Sequence, residues 1–276
     1  NLIQIVEYLS FPIVIHELIT DLAAYKQGEN VEVSVKVTNN SKTNESCTVE
    51  LEFLDKSGEL VYKKRKYIEL GAGQIITLNE VWNPEEFKSD FYQVKAILKK
   101  NGLILDKEEN GFVVINENVL RSGPTIQIKG KEFVINCKRS LILGVNYYES
   151  KLGELMWLRP NILKVREDFK SMQNLGINFV RIHYHHSKWF RDYFTQVINE
   201  NIPSYFRIAD NTALPSERSL RILDAIIYLA QEQNLIFCMD ILSLVPTEMG
   251  NPVGWLGLKE RIIDKEEAQL QRQQLE

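Results

Sequence analysis

The N-terminal part of the chain alternates between apolar and polar side chains. Four valines occupy every second position from Val31 to Val37, and polar residues fill the positions between them. Because successive side chains of a strand point to opposite faces, this alternation predicts a half-buried antiparallel strand. Turn residues bound the run, with Gly28 before it and Asn39–Asn40–Ser41 after it.

Further strand-like runs follow at short intervals. They lie at residues 47–54, 60–70, 75–82, 91–99, 103–106 and 112–115. Hairpin signals separate several of them, including the turn sequences Asp55–Lys56–Ser57–Gly58 and Asn101–Gly102. Because short strands with regular turn signals and no helical period are typical of two packed sheets, this part is predicted to be a β-sandwich.

The periodicity changes after the linker-like sequence Ser122–Gly123–Pro124, so we expect one domain at residues 1–122 and a second at 123–276. The second domain opens with a short hairpin at residues 125–135. Buried-strand runs follow at 141–145, 177–182 and 235–242, and amphipathic helical patterns at 162–175, 219–234 and 259–274. The order βαβαβα predicts a parallel sheet with right-handed crossovers.

Two of these helical patterns assign an inward face. Val165, Phe169, Met172 and Leu175 share one side of the first helix, and Gly176 stands where a C′ glycine is expected. Leu220, Leu223, Ile227 and Leu229 or Ala230 are predicted to face inward on the second. Three strands are few for a finished sheet of this kind. The interpretation is therefore a (β/α)8 barrel truncated after about three βα units, in preference to a complete small α/β domain.

Composition and charge exclude some classes of function. The formal net charge is −4, and the chain lacks the basic surface that nucleic-acid binding requires. The basic run Lys63–Lys66 lies within a predicted strand, and a solvated sheet face is the preferred interpretation. No apolar stretch approaches the ~20 residues of a membrane-spanning helix. Cys47, Cys137 and Cys238 form no disulfide framework and have no metal-ligand spacing.

Candidate chemistry lies where the buried strands end, because (β/α)8 barrels carry their sites at the carboxyl ends of their strands. Asn146, Tyr147, Tyr148 and Glu149 follow the first strand. Arg181, His183, Tyr184, His185 and His186 end the second, and Asp240 ends the third. Rings that stack on sugar faces and fixed groups that bind hydroxyls together indicate a carbohydrate site. Glu149 and Glu248 are predicted to be solvated, and Trp255 to be either a sugar platform or a loop anchor.

The chain resembles glycoside hydrolase clan A, to which families 2 and 5 belong. The resemblance rests on Met172-Gln-Asn-Leu-Gly-Ile-Asn-Phe-Val-Arg181-Ile-His183, which is similar to the first helix and second strand of the clan's barrels. Residues 126–148 are similar to the entry into a family 2 barrel. The preceding sandwich resembles the immunoglobulin-like domains placed before such barrels, and residues 25–39 are typical of extracellular ones.

This resemblance implies a retaining glycosidase that acts on β-linked sugars or polysaccharide without metal or organic cofactor. Arg181 matches the arginine that orients the nucleophilic glutamate, and a structural ion pair is the alternative. His183 and His185 match positions that line the substrate site, and Asn146 and Asp240 are assigned to substrate binding on the same rim. The two catalytic glutamates are expected beyond residue 276, so the chain alone is predicted to be inactive.

Other interpretations stay open at this stage. His183 and His185 could provide two zinc ligands, but no third ligand has suitable spacing, and no metal site is predicted. The chain could be a non-catalytic carbohydrate-binding or scaffold protein, or a barrel that lost its glutamates and became a cell-surface binding protein. An incomplete barrel leaves strand edges and one strand face uncovered, which predicts either self-association or considerable disorder in the last helix. The expected location is extracellular or at the cell surface, with the cytoplasm as the alternative.

Overall fold

The computed structural model describes residues 12–183 and 217–240, except for the side chains of Glu154, His183 and Asp240. Its first part is a two-layer β-sandwich, which confirms the prediction from alternation. The strands are β1 (Ile13–Thr20), β2 (Ala24–Tyr25), β3 (Val31–Asn39), β4 (Glu45–Asp55), β5 (Leu60–Leu70), β6 (Ile75–Trp82), β7 (Phe91–Lys100) and β8 (Leu103–Val114). One sheet has the order β1–β3–β6, and the other has the order β2–β8–β7–β4–β5.

Apolar side chains from both sheets form the sandwich core. The four valines of β3 are all buried, as their spacing predicts. Phe53, Trp82 and Phe112 pack together at its centre, with ring centroids 4.9 Å apart for Phe53 and Trp82 and 6.3 Å apart for Phe53 and Phe112. Because aromatic rings each remove a large apolar area from water when they are buried, this cluster contributes to the stability of the sandwich.

The predicted turns are formed where the backbone needs them. Asn101 and Gly102 both have positive φ angles and join β7 to β8 as a hairpin. Asp55 closes the β4–β5 turn, because its carboxylate accepts hydrogen bonds from the backbone N–H groups of Ser57 and Glu59. The Gly71–Gly73 segment carries the chain from β5 in one sheet to β6 in the other.

The basic run on β5 is neutralised across the sheet, which agrees with a solvated sheet face. Glu50 on β4 is almost fully buried beneath three cations. Its carboxylate oxygens lie 2.8 Å from Lys63 Nζ, 2.8 Å from Arg65 Nε and 3.0 Å from Lys99 Nζ. The hydrogen bond from Lys63 is the largest influence, and with that from Lys99 it outweighs burial and lowers the pKa of Glu50 to about 2.

Replacing Glu50 with glutamine is expected to reduce the free energy of unfolding at pH 7 by about 1 kcal/mol, because the three cations stay in contact with screening solvent. A lowered carboxyl pKa adds stability above the unfolded-state pKa, and that stability is lost as the pH falls toward 2. Urea unfolding of both proteins should therefore differ at pH 7 and converge between pH 4.5 and 2.

Glu52→Gln is the matched control, because Glu52 lies on the same strand face and Lys63 also contacts it, at 2.7 Å. We expect a smaller change for this variant, since Glu52 is not enclosed by three cations. Equal changes for the two variants, or an effect of Glu50→Gln that is unaltered in 1 M salt, would contradict the electrostatic explanation.

The second part of the chain contains a short antiparallel sheet and a parallel sheet. The antiparallel strands are β9 (Ile126–Lys129), β10 (Glu132–Ile135) and β11 (Lys138–Ser140), and the parallel strands are β12 (Gly144–Asn146), β13 (Phe179–His183) and β14 (Ile236–Asp240). The helices are α1 (Glu117–Leu120), α2 (Ile162–Asn174) and α3 (Glu217–Glu232), with a 3-10 turn at Glu154–Trp157. The division between residues 122 and 123 stays a prediction.

The helix α2 follows its sequence signals closely. The side chain of Asn161 caps its start by accepting a hydrogen bond from the backbone N–H of Lys164. Val165 and Phe169 are fully buried, as predicted, in the cluster that also contains Val180 and Ile182 of β13. Leu175 instead caps the helix and is 76% exposed, and Gly176 follows with a φ of 81°, as the C′ position requires.

Two other sequence expectations about this part are wrong. The first parallel strand begins at Gly144, so Leu141 and Leu143 lie outside the strand and are exposed. On α3 the predicted inward residue Leu220 is 41% exposed. Leu229 and Ala230, either of which was predicted to face inward, are both buried, and Leu223 and Ile227 are partly buried. The other buried positions are Arg218, Ser219, Arg221, Ile222, Ala225, Ile226 and Tyr228. The helix is buried more widely than an apolar stripe indicates because its arginines bind the sandwich.

The sandwich and the α/β part share one hydrophobic cluster. Phe91 and Val113 of the sandwich pack with Trp157 and with the buried faces of α2 and α3. Arg218 donates to the backbone carbonyls of Asp21 and Leu158, and Arg221 donates to the carbonyl of Ala24. Since these arginines lie on the helix that precedes β14, the sandwich helps to fix the position of that strand.

Candidate functional site

The three parallel strands pair several predicted site residues with one another near the carboxyl ends of the strands. Asn146 pairs with Arg181, and Arg181 pairs with Cys238 on the next strand. Two residues further along these strands, His183 and Asp240 are backbone partners. Because these pairs lie at the carboxyl ends of parallel strands, the fold collects four of the five predicted substrate-contacting or orienting residues at one sheet edge. The fifth, His185, lies outside the described residues.

The two faces of this sheet differ in what they contact. Val180 and Ile182 are buried in the cluster that contains the helices, and Phe237 and Met239 are partly buried against the same cluster. Since side chains alternate along a strand, Arg181 lies on the opposite face from these residues. Nη1 of Arg181 is 3.3 Å from Oδ1 of Asn146, so the two predicted residues are in direct contact.

An apolar row lies beneath this polar row. It consists of Gly144, Phe179 and Ile236, which are register partners. A Cβ atom at Gly144 would lie only 2.6 Å from Cδ1 of Phe179, so glycine is needed for the ring to pack there. The site therefore has an apolar base with a cationic and amide layer above it.

Sequence reasoning did not place Cys238 at this edge. Its position in an apolar run indicated a buried thiol, whereas the structure places it half-buried in the row of Arg181. Aligning the two apolar strand patterns would have given this register, because the helix-facing residues Val180 and Phe237 are paired. Its position makes Cys238 a neighbour of the candidate site.

Two residues that follow β12 are enclosed and are unavailable to a ligand. Tyr147 is 2% exposed and its hydroxyl donates to Asp168, 3.1 Å away. Burial, followed by the charge of Asp168, raises the pKa of Tyr147 far above its usual range. These contacts give Tyr147 a structural role, in which it joins the loop after β12 to α2.

Glu149, predicted to be solvated, is 1% exposed. Its two carboxylate oxygens accept hydrogen bonds from the backbone N–H groups of Lys151 and Leu152, both at 2.8 Å. Burial raises the pKa of Glu149, and these backbone bonds oppose the rise in part. The carboxylate therefore stabilises the tight loop after β12. Tyr148, between these two enclosed residues, is partly exposed at the rim.

Other predicted features cannot be placed. Glu248, Trp255 and the helical pattern at 259–274 lie outside the described residues. Within residues 12–183 and 217–240, no group of three or more histidine, cysteine or acidic side chains could hold a metal ion. In the same part of the chain, no helix has the length and apolar character needed to cross a bilayer.

The sandwich aromatics point inward. Among the aromatic side chains described within residues 12–122, Tyr67 alone is exposed, at 66%. Carbohydrate-binding surfaces stack sugar rings on exposed aromatic faces. This part of the sandwich therefore presents a charged surface and a single exposed ring, and lacks the row of exposed aromatics that a sugar platform would provide.

A family comparison gives the class of protein that the sandwich resembles. Residues 14–112 match the family model described as Glycosyl hydrolases family 2. The match ends near the close of β8 and does not extend to the parallel sheet. No curated protein sequence matches the chain.

The chain is also similar to several solved structures of glycosidases. A glycosyl hydrolase family 2 member from Bacteroides cellulosilyticus DSM 14838 is 14% identical, with a TM-score of 0.35, and the match covers 82% of this chain and 26% of that one. Bacteroides uniformis beta-glucuronidase 2 is 16% identical, with a TM-score of 0.37 and coverages of 84% and 29%. A putative beta-galactosidase from Bacteroides fragilis is 18% identical, with a TM-score of 0.36 and coverages of 67% and 28%.

The chain thus spans between a quarter and a third of the length of these three structures. The TM-scores of all three structures lie below 0.5, so these similarities do not establish the fold or the activity of this chain. The family match of residues 14–112 stands independently of them.

Proposed function

We propose that the chain is the N-terminal part of a retaining glycoside hydrolase that acts on β-linked sugars or polysaccharide. In this proposal an immunoglobulin-like sandwich precedes a (β/α)8 barrel, of which β12, β13 and β14 are the first three strands. The two catalytic glutamates are supplied by later strands, and no metal or organic cofactor takes part. The substrate is met outside the cell or at its surface.

The observation that carries the proposal is the family 2 match of the sandwich combined with its docking on the helices that cover a parallel sheet. That sheet buries one face against helices and carries Arg181 on its other face. A closed barrel would enclose the second face and turn the polar row toward the barrel's carboxyl-end cavity. An isolated three-stranded parallel sheet gives that face no cover, because parallel sheets are normally covered on both faces.

Within this proposal the edge residues have separate tasks. The guanidinium of Arg181 donates to the nucleophilic carboxylate and keeps it ionised. The positions of His183, His185 and Asp240 serve binding of sugar hydroxyls, as does the amide of Asn146. A scaffold or sugar-binding role for the sandwich alone is less well supported, since Tyr67 is the one exposed ring among its described aromatics.

The decisive experiment assays the natural full-length protein against a panel of aryl β-glycosides and follows the product anomer by NMR. Hydrolysis with retention of configuration is the expected result. Arg181→Lys should lower kcat/KM about 100-fold, because lysine cannot make the paired, oriented hydrogen bonds of a guanidinium. Inversion, or full activity in the lysine variant, would overturn the proposal.

Chain 1–276 is the matched control for this assay. It retains Arg181 and the sandwich, and we expect it to be inactive and to self-associate through its uncovered sheet face and edges. Turnover by this chain that a single carboxylate substitution abolishes would show that the catalytic residues lie within it. Size-exclusion chromatography gives the association state in the same experiment.

A further inference from the structure

The contact between Asn146 and Arg181 joins two neighbouring strands above the apolar row. Their backbones are fixed by the register Val145 with Val180, and by a 2.8 Å hydrogen bond from the N–H of Tyr147 to the carbonyl of Arg181. The Oδ1 atom of Asn146 is 3.3 Å from Nη1 of Arg181. Because a guanidinium only donates hydrogen bonds, the amide must present its oxygen to the arginine.

Arg181 needs such a partner for a physical reason. An arginine side chain carries about 2 kcal/mol of rotamer entropy, so a guanidinium that must meet an anion in one plane gains from being held beforehand. Asn146 has a short side chain on a paired strand and is well suited to hold it. The sheet packs closely below this contact, where the ring of Phe179 leaves no space for a Cβ at Gly144.

We propose that Asn146 is a positioning residue for Arg181, and that its amide oxygen fixes the plane in which the guanidinium meets the reacting carboxylate. This inference rests on the proposed function for the carboxylate, but the contact itself can be tested without activity. This role adds to the sugar-binding role predicted for Asn146 from the sequence. The amide oxygen holds Arg181, and the amide nitrogen is left to bind a sugar hydroxyl.

Two variants test the hydrogen-bond acceptor of Asn146 separately from the shape of its side chain. Asn146→Leu keeps the branched shape and removes the oxygen, whereas Asn146→Asp keeps an oxygen at the same place. The measurement uses NMR of the full-length protein labelled with ¹⁵N-arginine, in which the Arg181 signal is assigned by its loss in Arg181→Lys. In the Asn146→Leu variant, the guanidinium of Arg181 should rotate about tenfold faster than in the wild type. The Asp variant should retain the slow rotation, because its carboxylate accepts the same hydrogen bond.

The kinetic measurement uses the same proteins. For Asn146→Leu we expect kcat to fall about tenfold or more with a smaller change in KM, since the lost contact acts in the transition state. The acidic limb of its kcat/KM profile should move to higher pH, because a less well-placed guanidinium lowers the pKa of the nucleophile less. A change in folding alone would leave this limb in place.

The outcomes distinguish the two proposals. If the wild-type protein has no glycosidase activity but the Leu variant frees Arg181 while the Asp variant does not, the positioning role stands and the proposed function fails. If Arg181 rotates at the same rate in all three proteins, or if the Leu and Asp variants behave alike, the positioning role is overturned. That conclusion holds whatever the activity of the wild-type protein.

Discussion

Replacing Asn110 with leucine is expected to lower the free energy of unfolding of the chain by about 3 kcal/mol or more, because several buried backbone groups lose their partners. Asn110 lies on β8 and is 2% exposed. Its amide nitrogen donates to the carbonyls of Leu18 and Pro160, each at 3.0 Å. Its amide oxygen accepts from the N–H groups of Gly111 and Ile162, at 2.7 and 3.0 Å.

Three of these hydrogen bonds join different parts of the molecule. They hold β1 to β8 within the sandwich, and they fix the loop that enters α2 against the same strand. Leucine has the same branching as asparagine but satisfies none of these groups. Each buried backbone group left unpaired costs about 1–3 kcal/mol, although the costs do not add fully.

Urea unfolding with hydrogen exchange resolved by mass spectrometry measures this effect. Protection should fall in both β3 and α2, because the substitution acts at the junction between the two parts. Asn79→Leu is the control, since Asn79 is exposed on β6 and its side chain accepts a hydrogen bond from the hydroxyl of Ser34. A loss confined to the sandwich, or one no larger than that of Asn79→Leu, would contradict a joining role.

Replacing Glu232 with glutamine is expected to destabilise the chain by about 3 kcal/mol at pH 7. Glu232 lies near the end of α3 and accepts two hydrogen bonds from Arg166, from Nε at 2.9 Å and Nη2 at 2.8 Å. Lys56 of the sandwich approaches to 2.9 Å. Burial raises the pKa of Glu232, but the bonds from Arg166 and Lys56 outweigh it and lower the pKa to about 2. A shift of this size corresponds to about 3 kcal/mol.

The same group links α2, α3 and the sandwich. The guanidinium of Arg166 also lies over the ring of Phe91, 4.3 Å from its centroid. Lys56 contacts Asp90 at 2.9 Å, and the hydroxyl of Tyr228 donates to Asp90 at 2.6 Å. Removing the charge of Glu232 leaves the partly buried Arg166 without its paired carboxylate. Breaking an ion pair in this way is strongly destabilising, because the remaining charge is no longer compensated.

The pH dependence gives this prediction its sign. Because the folded-state pKa lies below the unfolded-state value of about 4.5, Glu232 contributes its full stability above pH 4.5 and loses it as the pH falls toward 2. Thermal unfolding of wild type and Glu232→Gln should therefore converge across that range. Glu217→Gln is the control, since Glu217 is 73% exposed and pairs with Arg221 on the same helix.

We expect at most about 0.5 kcal/mol for this variant, because Glu217 is exposed and Arg221 keeps its second carboxylate partner, Glu29. If Glu232→Gln changes stability no more than Glu217→Gln, or if the difference from wild type persists unchanged at pH 2, the ion-pair network does not tie the two parts together as described.

Local periodicity was sufficient for elements that bury one face against their own neighbours. The alternation around Val35 predicted β3, and the spacing of Val165 and Phe169 predicted α2 with its C′ glycine, Gly176. These features depend on side chains that are close in sequence, so their pattern is visible in a single chain. The strand ends that carry Asn146 and Arg181 were also predicted, because buried parallel strands are continuous apolar runs.

The inward face of α3 and the environment of Glu149 were not predictable in this way. Arg218 and Arg221 are buried because backbone carbonyls of the sandwich accept their hydrogen bonds, from residues far away in sequence. Leu220 consequently turns outward. Glu149 is enclosed because two backbone N–H groups of a tight loop compensate its carboxylate. From the sequence a polar residue is expected to be exposed, unless the groups that form hydrogen bonds with it are known.

The sequence by itself determined the sandwich strands, their main turns, the helix α2 and the strand ends where polar residues gather, because each depends on local periodicity or on a turn residue. Tertiary structure decided which of those residues meet. The contact of Asn146 with Arg181, three of the four bonds of Asn110 and the ion pairs of Glu232 join segments separated by many residues. Such contacts follow from strand register and from the docking of the sandwich on the helices, and neither is written in the period of a single segment.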